Sequence, residues 1–234
     1  MQIKLDHTEV VAKNIQTFWF EPEKPVDYVA GQFIEMYLPH DKADARGQKH
    51  WFTLSSSPTE KLISVTTKHA TDRVSTFKQR LFGLEPGAII TVSEPMGDFV
   101  LPKDTAIPLV FVAGGIGITP MRSMTKWLLD SGEKRPIRLV YGVKTPEEAA
   151  FVDLFEAYGA KMDTVVSEPS LGWSGRTGHL SSQLILELAG SSSEQLVYVS
   201  GPEPMTEALE AGLLASGVAK EKLVLDFFPG YPPV

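Results

Sequence analysis

The chain has 234 residues, of which 43% are hydrophobic and 22% charged, a composition typical of a folded protein rather than a disordered or collagen-like one. It contains no cysteine, which excludes a disulfide framework, a cysteine nucleophile and a cysteine-ligated zinc or iron–sulfur site among these residues. The net charge of −7 argues against nucleic acid as a partner. Because the sequence shows neither a long apolar run nor a signal peptide, we expect a cytoplasmic protein without a membrane span.

Short strand-like segments separated by turn residues fill the first part of the chain. Segments rich in β-branched or aromatic residues are 33–38, 51–55, 62–67 and 89–92. The apolar spacing predicts one helix over residues 74–82, with Gly83 placed to end it. Many short strands and a single helix predict a small antiparallel β-barrel.

Strands and helices alternate from about residue 107 onward. The predicted strands are residues 108–113, 137–141, 162–166, 196–199 and 223–227. The predicted helices are residues 121–129, 146–158, 180–188 and 205–215, the second opening with a capping box at Thr145. This alternation predicts a doubly wound parallel sheet. We therefore expect two domains, residues 1–102 and 103–234.

Two glycine-containing turns follow predicted strands in the second domain. The first turn holds Gly114, Gly115, Gly117, Thr119 and Pro120, and the second holds Gly201, Pro202 and Met205. Glycine lets a phosphate approach the backbone closely, and Thr119 is placed to cap the next helix. A purely structural turn is the alternative, because Pro120 replaces the third glycine of the dinucleotide fingerprint. Two such turns at one sheet edge favour a cofactor cleft.

A third motif, His50-Trp51-Phe52-Thr53-Leu54-Ser55-Ser56, lies in the first domain. In this order, the three motifs resemble the ferredoxin–NADP⁺ reductase family of FAD-dependent oxidoreductases over nearly the whole chain. The family's flavin motif is Arg-x-Tyr-Ser-x-x-Ser, from which this chain departs, although a His-x-Phe-Thr version occurs in the branch with NADPH oxidases and ferric reductases. The resemblance implies a flavin-binding barrel followed by an NAD(P)-binding domain.

The resemblance also implies which residues bind FAD. Phe52 would pack on the isoalloxazine ring, Thr53 would hydrogen-bond near its redox-active edge, and His50 would face the pyrophosphate. The implied FAD-binding residues are His50, Trp51, Phe52, Thr53, Thr66, Thr67, Lys68, Val74, Ser75, Thr76 and Phe228. Ser75 and Thr76, at a predicted helix start, suggest a diphosphate site and hence FAD rather than FMN.

Other interpretations stay open for several of these residues. His50 is alternatively a solvated loop histidine, and Ser75 alternatively a plain helix cap. The aromatic residues Trp51 and Phe77 more often belong to a core than to a flavin site. Arg73 and Lys78 lie close by in the sequence and would add positive charge.

The implied NAD(P)H site draws on the glycine turns. Its residues are Gly114, Gly115, Gly117, Thr119, Pro120, Lys144, Ser167, Arg176, Gly201, Pro202 and Met205. The implied catalytic residues are Thr53, Thr119, Ser200 and Phe228. Ser200 stands where the family has cysteine, and Phe228 would shield the other face of the flavin. No metal site is implied.

The choice between NADPH and NADH depends on a few charges. Lys144 and Arg176 match positions where NADPH-selective relatives carry basic residues, and Ser167 suits a phosphate. Glu168 opposes them, because a carboxylate repels a phosphate and can accept a ribose hydroxyl instead. Two cations against one anion slightly favour NADPH.

The resemblance implies an FAD-dependent oxidoreductase of electron transport that takes a hydride from NADPH or NADH. The electrons would pass to a separate acceptor, which is ferredoxin- or flavodoxin-like, haem, ferric iron or a small molecule. A flavin-binding or regulatory module with little turnover is the alternative, since His50 and Ser200 replace the family's usual residues.

Overall fold

The computed structural model describes residues 1–69, 74–190 and 194–228, with side chains described up to residue 226 in the last segment. In the described part of the chain, no helix is long and apolar enough to cross a membrane.

Within the described residues, six antiparallel strands form the first sheet. They are β1 (Gln2–Ala12), β2 (Ile15–Pro22), β3 (Phe33–Tyr37), β4 (Lys49–Thr53), β5 (Ile63–Lys68) and β6 (Ile89–Val92). Their order is β4-β3-β6-β1-β2-β5. A bridge between Leu54 and Val65, with a 2.8 Å hydrogen bond from Ser55 N to Ser64 O, joins the two outer strands. The sheet therefore closes into the predicted barrel.

Strands β1 and β2 were not among the predicted elements. Only Ile3 and Leu5 of β1 point into the core, and most of its later residues are exposed, so the strand lacks sustained apolar alternation. The pairing of β1 with β2 also shifts register at two places. The other strand ends of this sheet differ from the predicted ones by one or two residues at most.

The helix α1 (Thr76–Phe82) packs against the barrel core. It begins two residues later than predicted, with Ser75 Oγ accepting a 3.0 Å hydrogen bond from Lys78 N, and ends at Gly83 as predicted. Its Phe77 and Leu81 are fully buried among the barrel side chains. The core interpretation of Phe77 is thus correct.

The second sheet has six parallel strands among the residues that the structure describes. They are β7 (Leu109–Gly114), β8 (Ile137–Val143), β9 (Lys161–Val166), β10 (Arg176–Thr177), β11 (Leu196–Pro202) and β12 (Leu223–Phe228). Their order, β10-β9-β8-β7-β11-β12, confirms the doubly wound parallel sheet. The unpredicted strand, β10, has only two residues and so no hydrophobic pattern.

Helices pack against this sheet. They are α2 (Ile118–Ser131), α3 (Val152–Tyr158), α4 (Ser182–Ala189) and α5 (Glu203–Ala215). Ala30 and Phe99, which precede the predicted domain boundary, nevertheless pack in the core of the parallel sheet beside Phe111 and Tyr198.

The prediction of one helix over residues 146–158 was wrong. Pro146–Glu148 forms a 3₁₀ turn, Phe151 is left-handed with φ 63°, and α3 starts only at Val152. Tertiary contacts override the local pattern, because the turn faces the barrel: Lys13 N donates to Glu147 O at 2.8 Å. Within the described structure, Thr145 makes no side-chain capping bond.

Thr119 does not cap α2, which corrects a second prediction. The first glycine turn runs through a 3₁₀ turn, Gly115–Gly117, directly into α2. Thr119 is therefore already the second helical residue, and its hydroxyl donates to Ile116 O at 3.0 Å.

Arg122 of α2 joins the two sheets. Its guanidinium donates to Glu60 Oε1 and to Ser55 O, both at 3.0 Å. It also lies 5.6 Å from the ring centroid of Trp19 and 5.7 Å from that of Phe151. Because the side chains of Arg122 and Glu60 are only 12% and 17% exposed, this ion pair is better shielded from water than a surface pair. It fixes how the barrel sits on the parallel sheet.

The two glycine turns pack directly against each other at the carboxyl edge of β7 and β11. A Cβ added to Gly117 would lie 2.2 Å from Ser200 O, and one added to Gly201 would lie 3.2 Å from Gly114 Cα. A Cβ at Gly114 would meet Met205 Sδ at 2.4 Å. Gly117 is therefore required by packing against backbone, whereas at Gly114 the end of the flexible Met205 side chain could move aside.

Gly117→Ala should destabilise the fold by about 3 kcal/mol or more, because the added methyl meets backbone that cannot move aside. Gly83→Ala is the matched control: its φ is −91° and the nearest heavy atom to an added Cβ is Gln79 O at 3.3 Å. Urea unfolding of both variants measures the difference. Equal losses would contradict this account of the turn.

Candidate functional site

A cleft of about 550 Å³ opens at the carboxyl edge of the parallel sheet. The first glycine turn contributes Gly114 and Gly115, and the second contributes Pro202 and Met205. The ends of β8 and β9 add Lys144 and Ser167, and the barrel adds Lys68. The sequence-predicted residues Gly117, Thr119, Pro120, Arg176 and Gly201 are not among the described residues that line it. The volume and mixed lining suit a small organic ligand.

An ion pair spans this cleft between the two sheets. Lys68 Nζ of the barrel lies 2.7 Å from Glu148 Oε2 of the 3₁₀ turn, and both residues line the cleft. The Glu148 side chain is 11% exposed, so its charge is largely removed from water. Lys68 is thus placed at the junction of the predicted flavin and nicotinamide sites.

The residues of β4 alternate between the barrel interior and its surface. His50 and Phe52 point inward and are 4% and 8% exposed, whereas Trp51 is 52% exposed. The rings of His50 and Phe52 lie 4.0 and 5.9 Å from that of Phe77. His50 is therefore not a solvated loop histidine, and the core interpretation of Trp51 was wrong. Whether Phe52 or Trp51 contacts a flavin stays a prediction.

Cationic side chains cluster where α1 meets β5. Lys78 Nζ donates to Lys68 O at 2.8 Å. Burial, together with the charges of Lys68 and Arg46, lowers the pKa of Lys78 to about 8. Burial, and next the charge of Lys78, lowers the pKa of His50 to about 4. At neutral pH, His50 is thus uncharged while Lys78 stays largely protonated in a poorly solvated position.

Asp44 occupies the start of α1 within this cluster. Its Oδ2 accepts from Thr76 N at 3.0 Å and from Arg46 at 2.8 Å, and the bond from Arg46 is the main reason that its pKa lies well below the usual range. Ser75 Oγ bonds Lys78 N, and Thr76 Oγ1 accepts from Asp44 N at 3.1 Å. The plain-cap interpretation of Ser75 is therefore correct, and diphosphate contacts of these hydroxyls stay predictions.

The remaining predicted flavin residues surround this cluster. Thr66 and Thr67 are each 4% exposed, and Thr66 Oγ1 lies 2.8 Å from the hydroxyl oxygens of both Thr17 and Ser55. Val74 is half-buried and its carbonyl accepts from Gln79 Nε2 at 3.2 Å. Arg73 lies outside the described residues.

Comparison with known proteins shows what this chain is similar to. The family model of the oxidoreductase NAD-binding domain matches residues 111–211. The stachydrine N-demethylase reductase subunit Stc4 of Rhizobium meliloti is 28% identical over 230 residues, which cover 94% of this chain and 64% of the relative. The glycine betaine monooxygenase reductase subunit of Chromohalobacter salexigens is 27% identical over 87% of this chain and 57% of the relative. The chain thus spans about three fifths of the length of these curated relatives.

Solved structures show the same fold. The Amycolatopsis cytochrome P450 reductase GcoB matches with a TM-score of 0.84 and 19% identity, over 99% of this chain and 71% of that one. The ferredoxin–NADP⁺ reductase of Plasmodium falciparum matches with a TM-score of 0.79 and 15% identity, over 97% and 95%. The chain thus has the fold of ferredoxin reductase-like proteins, and its residues 111–211 match the oxidoreductase NAD-binding domain. Its assignment to the His-x-Phe-Thr branch stays a prediction.

A buried carboxyl group lies beside Ser200. Ser200 on β11 pairs in register with Asp226 on β12, and its Oγ donates to Asp226 Oδ2 at 3.3 Å. Burial, and to a lesser degree the charge of Asp98, raises the pKa of Asp226 to about 6 although the Ser200 bond opposes the shift. Sequence reasoning missed Asp226, but a single charged residue within the apolar strand β12 was the available signal.

Phe228 pairs through its backbone with Pro202, and its side chain lies outside the described structure. Its predicted stacking on the flavin therefore stays a prediction. The rest of the aromatic end, residues 229–234, also lies outside the described residues.

The raised pKa of Asp226 predicts a pH-dependent stability. Because the folded-state pKa lies above the ordinary value, ionisation opposes folding, so stability falls as the pH rises from about 4 to 6. Asp226→Asn should remove this fall and stabilise the protein at pH 7 by up to about 3 kcal/mol. Urea unfolding at several pH values measures it. An exposed carboxylate, Asp41→Asn, is the control, and identical pH profiles of the two variants would contradict the prediction.

Proposed function

We propose that this chain is an FAD-dependent NAD(P)H oxidoreductase that passes electrons to a separate acceptor. The observation that carries the proposal is the cleft, because both glycine turns and the barrel's Lys68 line it together. In open parallel sheets, nucleotides bind beyond the carboxyl ends of the strands, where this cleft lies. We also propose residues 1–102 as the flavin domain and residues 103–234 as the nicotinamide domain.

The names of the relatives support the proposal. The Rhizobium and Chromohalobacter relatives are named as reductase subunits of an N-demethylase and a monooxygenase, so they serve a separate oxidising component. We propose the same arrangement here, with an acceptor that is ferredoxin- or flavodoxin-like, haem, ferric iron or a small molecule. A cytoplasmic location stays a prediction.

The residues at α1 fit the diphosphate of FAD. Lys78, Lys68 and Arg46 lie close together; Lys68 and Arg46 are paired with Glu148 and Asp44, whereas the ammonium group of Lys78 donates to the carbonyl of Lys68, and burial disfavours its charge. A diphosphate supplies the negative charge that such a cluster stabilises. The family's arginine is replaced here by His50, which is neutral, so Lys78 would supply the missing charge.

When bound, FAD accepts a hydride and releases its electrons singly or as a pair. The chain's own part is to hold the reactants and exclude water. Met205 and Pro202 give the cleft an apolar wall, and the glycine turns bring backbone close to a dinucleotide. Ser200 keeps a small hydroxyl at the end of β11, held by Asp226.

Anaerobic spectra of the purified protein test the proposal. We expect a yellow protein whose visible flavin absorbance bleaches on addition of NADH or NADPH, and whose released flavin is FAD by chromatography. Colour without bleaching would instead support the flavin-binding module with little turnover. Released FMN would refute the proposed diphosphate site.

Lys78→Met tests the diphosphate site directly. The substitution keeps the length of the buried side chain and removes its charge, so FAD affinity should fall by about tenfold or more while FMN affinity changes little. Lys161→Met, exposed at the amino end of β9, is the control. Fluorescence titration of the flavin-free proteins measures both affinities. An unchanged FAD affinity in Lys78→Met would contradict the placement.

A further inference from the structure

The outer end of the cleft is formed by the loops that follow β8 and β9. Lys144 and Ser167 line it, and the two loops are joined by hydrogen bonds from Ser167 N to Val143 O at 3.1 Å and from Glu168 N to Lys144 O at 2.7 Å. The backbone therefore holds Glu168 beside Lys144. In dinucleotide-binding sheets, the loop after the second strand meets the ribose, where a carboxylate accepts the 2′-hydroxyl and a cation binds a 2′-phosphate.

The charge of Lys144 is cancelled locally by Glu168. Lys144 Nζ lies 3.4 Å from Glu168 Oε1, and the two side chains are 57% and 63% exposed. Such a surface pair adds little to stability. The pair has a larger effect on ligand binding, because a phosphate that approaches the Lys144 ammonium group also approaches the Glu168 carboxylate.

Two carboxylates bind the guanidinium group of Arg176 outside the described cleft lining. Its guanidinium lies 3.5 Å from Asp163 Oδ1 and 3.3 Å from Glu187 Oε1. Asp163 in turn binds Arg138 at 2.7 Å, so these four side chains form a mixed cluster with no net charge. Both cations that favoured NADPH in the sequence, Lys144 and Arg176, are therefore paired with carboxylates.

We infer that the nicotinamide nucleotide used by this chain is the one with a free 2′-hydroxyl, NADH, and that Glu168 determines this specificity. The inference rests on the proposed function. The 2′-hydroxyl of NADH can donate to the Glu168 carboxylate, whereas a 2′-phosphate brings nearly two negative charges to the same position. Since the ribose lies far from the transferred hydride, the discrimination belongs in KM rather than kcat.

The test compares wild type with Glu168→Gln and a matched control, Glu156→Gln, an exposed carboxylate on α3. Steady-state turnover with ferricyanide as the electron acceptor gives kcat and KM for each nucleotide, and calorimetry gives the Kd of NAD⁺ and NADP⁺. We expect wild type to favour NADH over NADPH at least tenfold in kcat/KM. Glu168→Gln should lower the NADH-to-NADPH ratio of kcat/KM about tenfold, because KM for NADPH falls and NADP⁺ binds more tightly. Glu156→Gln should keep the wild-type ratio.

Three outcomes overturn the inference. A wild-type preference for NADPH refutes it while leaving the proposed function intact, because the flavin is still reduced. A change in Glu168→Gln no larger than in Glu156→Gln refutes the role of Glu168. If neither nucleotide binds nor bleaches the flavin, the proposed function itself fails, and the inference fails with it.

Discussion

The contact between the two glycine turns governs the geometry of the candidate site. Gly117 approaches the carbonyl of Ser200 so closely that no side chain fits between them. This approach brings the ends of β7 and β11 together, forms one wall of the cleft and leaves Ser200 fully buried beside Asp226. Buried serine is tolerated because its hydroxyl has a partner. Burial of the Asp226 carboxyl group raises its pKa to about 6, although the hydrogen bond from Ser200 opposes the shift.

Two ion pairs join the sheets, and one of them lines the cleft. Arg122 and Glu60 lie on one side of the interface, and Lys68 and Glu148 lie in the cleft itself. The first pair is shielded from water and additionally surrounded by aromatic rings, so it serves as a fixed anchor. The second ion pair can rearrange. Lys68 is 38% exposed, so its ammonium group stays partly solvated and can bind another anion in place of Glu148. One pair thus sets the position of the barrel, and the other leaves a cation available at its edge.

Sequence reasoning succeeded where short-range patterns decide the structure. The central strand β7 is buried along its whole length, and the apolar runs of the parallel strands were sufficient to predict five of their positions. Prediction from the sequence failed where contacts between distant residues determine the local structure. The sequence of β1 alternates only at Ile3 and Leu5, and the break before α3 reflects contacts with the barrel. Asp226 gained its significance only from register with Ser200 across two strands.

The number of charged residues in the sequence says little about the site, because cations of the same charge lie in two different environments. At α1, Arg46 and Lys68 are paired with Asp44 and Glu148, whereas the ammonium group of the buried Lys78 donates to the carbonyl of Lys68. At the outer end of the cleft, every cation named by the sequence has its own carboxylate partner within 3.5 Å. The buried charge of Lys78 therefore favours an anionic group at α1, whereas Lys144 and Arg176 are already paired. The two environments belong to different ligands: the diphosphate of FAD fits the first, and at the second NADH, whose ribose carries no phosphate, fits better than NADPH.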